Sequence, residues 1–371
     1  MVPETAGPEC RFGVFAEVIG RYRASLLPQR VNRPDVAWFM RFQISIMDTL
    51  ETRYGTLSGI ANSMAYPDGS LKSCMLDAEN RIQTPVGEII PQYRMAELGE
   101  RQKKHRSSLG FFENGRIKSA ALDRAMPLQT PVGVFEAELV TFHENGAMNR
   151  LFPLNGQVDG YWSEKNEGEL AKVLDFDLPV GKFRAKIINL HFYPSGALKS
   201  LTLWPGQRIT IETPVGPMRL RTGFSLHENG SVRSVEPAAI VELATPIGRV
   251  KAYDAEMLGM NADQNSVQFS PTGSLVSVKT IHTGLRVISP DQVETIIEPL
   301  ETTSLIDIAE MRTVPMRIDF TGNTVVVAAT RTHRFDRATH TLVTFDRAHV
   351  IRESCSACAG CDGGDSCCQN E

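Results

Sequence analysis

The sequence predicts a mainly β protein: an array of β-hairpin repeats forming an elongated sheet or solenoid-like structure. Three observations predict it. A Pro-x-Gly tetrapeptide recurs along the chain, a second glycine-centred signal follows each copy, and the stretches between them alternate apolar and polar residues.

The first signal is Thr-Pro-Val-Gly at 84–87, 130–133 and 213–216, Leu-Pro-Val-Gly at 178–181 and Thr-Pro-Ile-Gly at 245–248. Proline presets φ for the first central position of a turn, and glycine accepts the positive φ that closes it. The second signal is an apolar or aromatic residue, a short polar stretch, glycine, then an aliphatic residue two positions on. Its clearest copies are FHENGAM (142–148), FYPSGAL (192–198) and LHENGSV (226–232), with weaker ones at 65–71, 111–117 and 269–275. Asn-Gly, Asp-Gly and Ser-Gly are hairpin-turn dipeptides, so both signals read as turns.

Spacing argues against chance. From Gly69, Gly115, Gly196 and Gly230 to the next Pro-x-Gly glycine the steps are 18, 18, 20 and 18 residues, while Gly146 to Gly181 takes 35 and marks an insertion. Within a unit the two glycines lie 13 to 15 residues apart after Gly133, Gly181 and Gly216, and 28 and 25 apart after Gly87 and Gly248, which predicts longer loops there. Counted back from Gly69, the same interval lands on Arg53-Tyr54-Gly55, a degenerate first signal, giving six units over 53–280. Between turns, Lys182–Ile187 and Leu198–Leu203 alternate with period two, placing apolar side chains on one face of a strand. One such unit cannot bury its own apolar face, so the units must stack or pair side by side.

Phe111–Ser119, Phe142–Arg150 and Leu226–Ser234 carry an aromatic or apolar residue, a polar pair, Asn-Gly and a following aliphatic. In this the chain resembles MORN-type repeats, and more closely the variant of YwqK-type antitoxin proteins, from which the long Pro-x-Gly spacer departs. The resemblance implies a β scaffold that binds partner proteins or membrane lipid, or, in the antitoxin-like set, one that neutralises a toxin.

The flanks read differently. In the N-terminal segment, 1–52, Asn32-Arg33-Pro34-Asp35 has the pattern of a helix start, whereas Arg41–Ile46 alternates like a strand. Residues 281–350 read as the closing β segment, with Met316–Thr330 a hairpin tipped by Gly322-Asn323 and Thr341–Phe345 a further strand.

Composition narrows the function classes. A 371-residue chain with 42% apolar residues can bury a substantial core, and 39 basic against 43 acidic residues leave a net charge of −4 and no overall attraction to nucleic acid or anionic membrane. No apolar run is long enough for a membrane span and the N-terminus lacks a secretory pattern, so the expectation is a cytoplasmic protein. Gly-rich phosphate loops, Gly-x-Ser-x-Gly and His-Glu-x-x-His are absent from the sequence.

The tail, 351–371, carries the strongest chemical signal. Cys355, Cys358, Cys361, Cys367 and Cys368 follow a Cys-x2-Cys-x2-Cys-x5-Cys-Cys pattern, with small residues between that let the backbone wrap. Thiolates crowded together repel unless a cation neutralises them, which points to metal. The first three resemble the ferredoxin-type loop for a [4Fe-4S] cluster, which implies Cys367 or Cys368 as fourth ligand, although the proline after the fourth cysteine is missing. Zinc in a four-thiolate site is the alternative, and a redox tail with disulfides such as Cys367–Cys368, or a disordered terminus, are the others.

His143-Glu144 and His227-Glu228 share one repeat position and are expected to be solvent-facing turn formers rather than catalysts. His333, His340 and His349 are expected to be surface residues, Trp38, Trp162 and Trp204 packing residues, and Gly160-Tyr161-Trp162 in the insertion a contact loop. The functional expectation is a non-catalytic scaffold that engages a protein partner through its β-repeat face, with a thiolate centre for electron delivery, metal handling or sensing. Two other readings stay open: a redox enzyme or metallocofactor maturation factor, and an antitoxin-like or structural scaffold with an incidental tail.

Overall fold

The computed structural model describes residues 47–97, 100–105, 107–159, 161–255, 262–303 and 311–347. All of them lie in Gln43–Glu371, one of two compact units into which the chain divides. The helix start at Asn32–Asp35, the run Arg41–Ile46 and the five tail cysteines lie outside the described residues.

As the turn spacing predicts, the protein is mainly β. Its largest sheet is antiparallel and follows chain order as a meander. The strands run Met47–Thr52, Gly55–Ala65, Leu71–Leu76, Leu109–Phe111, Ile117–Thr130, Gly133–Phe142, Met148–Phe152 and Ile187–Phe192. They continue through Leu198–Leu203, Gly216–Leu226, Val232–Pro237, Val267–Phe269, Leu275–Thr280, Met316–Thr321, Thr324–Ala328 and Thr332–Asp336.

The second signal builds one margin of this sheet. At Tyr66, Phe112, His143, Tyr193, His227 and Ser270 the same two hydrogen bonds recur: the residue's N–H donates to the carbonyl four positions on at 2.8 Å, and the glycine three positions on donates back to its carbonyl at 2.9 Å. That pattern is a three-residue hairpin loop whose last residue sits in the left-handed region, and the six glycines, with φ from 74° to 93°, supply it.

The first signal builds a second row of hairpins: Ile82–Thr84 with Gly87–Ile89, Leu174–Leu178 with Gly181–Ala185, Ile209–Thr213 with Gly216–Leu220, and Val241–Thr245 with Gly248–Ala252. The distal halves of Ile117–Thr130 and Gly133–Phe142 complete it. In five of the turns a threonine hydroxyl donates to the glycine carbonyl at 2.6–2.8 Å and accepts from the intervening N–H at 3.1–3.3 Å. The degenerate Thr52–Gly55 copy makes the same clamp, whereas Leu178 has no hydroxyl to make it.

The two rows share one apolar core. Alternation turns Leu201, Phe224, Val235, Val267 and Val278 inward from the sheet and Leu128, Phe176, Ile211, Met218 and Val250 inward from the hairpin row, all in one buried cluster. Phe135, Phe176 and Phe183 stack through it at centroid separations of 5.4 and 5.1 Å, and Phe183 meets Phe224 edge to face at 6.2 Å. Each fully buried side chain of this size contributes roughly 1.5–3 kcal/mol, so the shared core rather than any single turn holds the rows together. The strands that serve both rows break register between Ala121 and Met126 and between Leu220 and Phe224. The tips meet at one margin, where Gly146, Gly196 and Gly273 leave van der Waals room for the rings of Pro85, Pro131 and Pro214.

The insertion between Gly146 and Gly181 holds Met148–Phe152 and a short helix, Glu164–Leu170, opened by a capping box between Ser163 and Asn166. Past the sixth unit, Glu294–Ile297, Thr283–Ile288 and Thr341–Asp346 form a three-stranded sheet, and Leu300–Thr303 pairs with Met311–Val314. The expected hairpin at Gly322-Asn323 turns between Thr321 and Thr324.

Candidate functional site

The repeated histidines have a structural task. His143 Nε2 donates to the Phe192 carbonyl and His227 Nε2 to the Phe269 carbonyl, each at 2.9 Å. Tyr66 and Tyr193 fill the same position, their hydroxyls donating to the Phe111 and Leu226 carbonyls at 2.9 and 3.0 Å. In every case the acceptor is the residue just before the next unit's loop, so in four of the six units one ring staples that unit to its successor. The histidines are half-buried partners of the main chain, not solvent-facing turn formers. Lysine ammonium groups lie over three of these rings: Lys72 over Tyr66, Lys118 over Phe112 and Lys199 over Tyr193, at 5.5, 5.6 and 5.7 Å.

The sheet face opposite the core carries a cross-strand polar row. Ser119, Thr141, Arg150, His191, Ser200, Ser225, Ser234, Gln268, Ser277 and Asp319 are successive partners across ten strands. Two ionic clusters tie loops onto this face. Asp263 accepts from His191 Nδ1 at 2.9 Å, Ser200 Oγ at 2.5 Å and Arg150 Nη2 at 2.8 Å. Burial pushes the Asp263 carboxyl up, but these donors outweigh it and hold the group well below the usual carboxylate range; burial lowers His191. The serine hydroxyl is spent on the carboxylate and not on the imidazole, so the trio lacks the nucleophile-to-base contact of acyl-transfer sites.

In the second cluster Arg101 bridges Glu138 (3.0 and 2.8 Å) and Glu167. Trp162 Nε1 and the Gly156 N–H also donate to Glu167, at 2.7 and 2.9 Å, fastening the insertion helix to the array. Another buried acid, Glu236, accepts from the N–H and Oγ of Ser266 at 2.9 and 2.7 Å, and burial raises its carboxyl above the usual range.

The remaining sequence candidates separate clearly. Cys355, Cys358, Cys361, Cys367 and Cys368, with His349, lie outside the described residues. Cys74 faces the core, and burial pushes its thiol up to about 12, which leaves it unreactive. His333 and His340 flank the Phe335 ring at 5.8 and 5.6 Å. Tyr161 is 78% exposed beside the inward-bonded Trp162. Among the described residues no group of three or more His, Cys, Asp or Glu side chains is placed to hold a metal ion.

An open groove lies in the hairpin row. The hairpin Leu174–Ala185 is joined to Ile209–Leu220 by a hydrogen bond from Glu212 N–H to the Val180 carbonyl at 2.8 Å. The equivalent bond, from Ala244 N–H to the Val215 carbonyl, does not form between Ile209–Leu220 and Val241–Ala252, and among the described residues its counterparts from Gln129 to Val86 and from Asp177 to Val132 do not form either. Between those two hairpins lies a cavity of about 400 Å³, floored by Met218 and Leu243 and rimmed by Arg208, Arg219 and Val241. Elsewhere along the row facing charges are paired: Arg81 with Glu88 (3.3 Å), Asp175 with Arg184 (2.8 Å), Asp177 with Lys182 (2.7 Å) and Glu242 with Arg249 (2.6 Å). Arg219 instead faces Thr210, and neither it nor Arg208 has a carboxylate in ion-pair range among the described residues. Burial, then the nearby charges of Arg221 and Arg219, lower the Arg208 guanidinium. Sequence spacing marked the turns flanking this groove, but the unpaired arginines follow from a cross-strand register that only the structure supplies.

Neither the family models nor the curated proteins include a match to this chain.

Proposed function

We propose that this chain is a non-catalytic β-repeat scaffold that binds a partner protein and carries a C-terminal thiolate centre. The supporting observation is how ionisable groups are used. Asp263 and the buried acids Glu138, Glu167 and Glu236 are engaged in pinning loops to the sheet, and Arg208 and Arg219, without an ion-pair partner among the described residues, line the open groove. A stapled array with an open groove suits recognition.

The tail adds the second half of the reading. Cys355, Cys358 and Cys361, with Cys367 or Cys368, supply four thiolates for a [4Fe-4S] cluster, or for zinc, in electron delivery, metal handling or sensing. Iron, sulfide and zinc analysis of the full chain isolated without oxygen tests it. About four irons with visible absorption, lost in the Cys358→Ser/Cys361→Ser double variant while β dichroism persists, is the expected result. Metal-free protein from cells supplied with iron and zinc would refute the thiolate centre.

A further inference from the structure

We propose that the groove between the Ile209–Leu220 and Val241–Ala252 hairpins receives an extended, acidic segment of a partner protein as an added β-strand. The inference rests on the scaffold reading above and specifies the partner's chemistry.

Main-chain direction is the first support. Glu212 N–H points away from its hairpin partner, toward Val180, so the pair Glu212–Pro217 lies outside the ladder's hydrogen bonds. Alternation then turns the main chain of Pro217 and Arg219 toward the groove. The Arg219 carbonyl confirms this direction, accepting from the Ala238 N–H at 2.9 Å at the groove's inner end. The same register in the facing hairpin, where Thr245 pairs with Gly248 and Leu243 with Val250, turns the main chain of Glu242 and Ala244 into the gap. Two strand edges thus confront each other without a hydrogen bond between Val215 and Ala244, the arrangement that β-strand addition completes.

Charge is the second support. Arg208 and Arg219 present two guanidinium groups at one rim, and Glu242 on the other wall is taken up by Arg249 at 2.6 Å. An incoming strand with carboxylates on its outward face would neutralise the arginines.

The test uses the full chain and a fluorescein-labelled acetylated peptide, Thr-Glu-Val-Glu-Val-Glu-Thr, followed by anisotropy. The peptide is expected to bind, and to lose at least tenfold in affinity to the Arg208→Ala/Arg219→Ala variant. Methylating alternate peptide nitrogens should cost a similar factor, since an added strand needs its main-chain donors. Both arginines are exposed, so unchanged dichroism and melting keep the variant interpretable. Absence of binding, or binding indifferent to the arginines or to methylation, overturns the proposal. A synthetic peptide of residues 351–371 that competes more tightly than the probe overturns the partner assignment and gives the groove to the chain's own tail. Metal content of the full chain is independent of these outcomes, so failure here leaves the thiolate centre standing and its failure leaves the groove.

Discussion

Removing one staple from the tip margin has a calculable cost. In Tyr193→Phe the Leu226 carbonyl loses a donor at 3.0 Å, while the ring, its packing and the Lys199 ammonium above it stay in place. A hydrogen bond of this kind contributes about 0.5–1.5 kcal/mol net. The array contains the reciprocal experiment: Phe112 occupies the staple position with no hydroxyl, and the repeat makes the Phe142 carbonyl its expected acceptor, so Phe112→Tyr should supply the missing donor and stabilise by a similar amount. Urea unfolding of the two single variants and the wild type measures both effects. The expected result is a lowered midpoint for Tyr193→Phe, a raised one for Phe112→Tyr, and an unchanged slope with denaturant. A Tyr193→Phe variant indistinguishable from wild type, together with a destabilised Phe112→Tyr, would refute the staple.

Two other perturbations probe the clamps. Arg101→Met removes the cation shared by Glu138 and Glu167, leaving Glu138 only the Lys103 ammonium at 3.5 Å, and should cost about 3–5 kcal/mol at neutral pH. Burial alone would raise Glu167, but Arg101 and Trp162 depress it, so its contribution is present above the ordinary carboxylate range and is lost as pH falls through the depressed value. Wild type and variant should therefore converge in acid, as urea midpoints read over a pH series would show, and a gap constant with pH would contradict the assignment. Gly223→Ala places a methyl group against the Leu201 carbonyl at φ 134° and should destabilise by about 3 kcal/mol; a thermal midpoint equal to wild type would show that the register break can relax.

Turn chemistry made most of the fold legible in advance. Proline, glycine and the Asn-Gly dipeptides act locally, so Thr84–Gly87, His143–Gly146 and even the degenerate Thr52–Gly55 could be placed from spacing alone. The helix Glu164–Leu170 in the insertion escaped notice because its capping pair, Ser163 and Asn166, precedes no apolar periodicity. The long-range content of the candidate site was equally hidden. That His143 reaches Phe192, that Asp263 gathers His191 and Ser200, and that Arg219 faces Thr210 are consequences of register and loop path, which no local pattern encodes. The cysteine pattern was legible as chemistry and lies outside the described residues.

The staple has a direction. Each ring reaches forward to the following loop, so every unit through the fifth offers an acceptor behind and a ring or phenyl ahead, and copies with matching ends could be duplicated or spliced in tandem without redesigning their neighbours. Ser270 breaks that grammar: its hydroxyl turns to Thr272 at 2.9 Å instead of reaching onward. Growth of such a protein by gene duplication would accordingly be accommodated ahead of Ser270, and the sixth copy would remain the terminus wherever new ones were added.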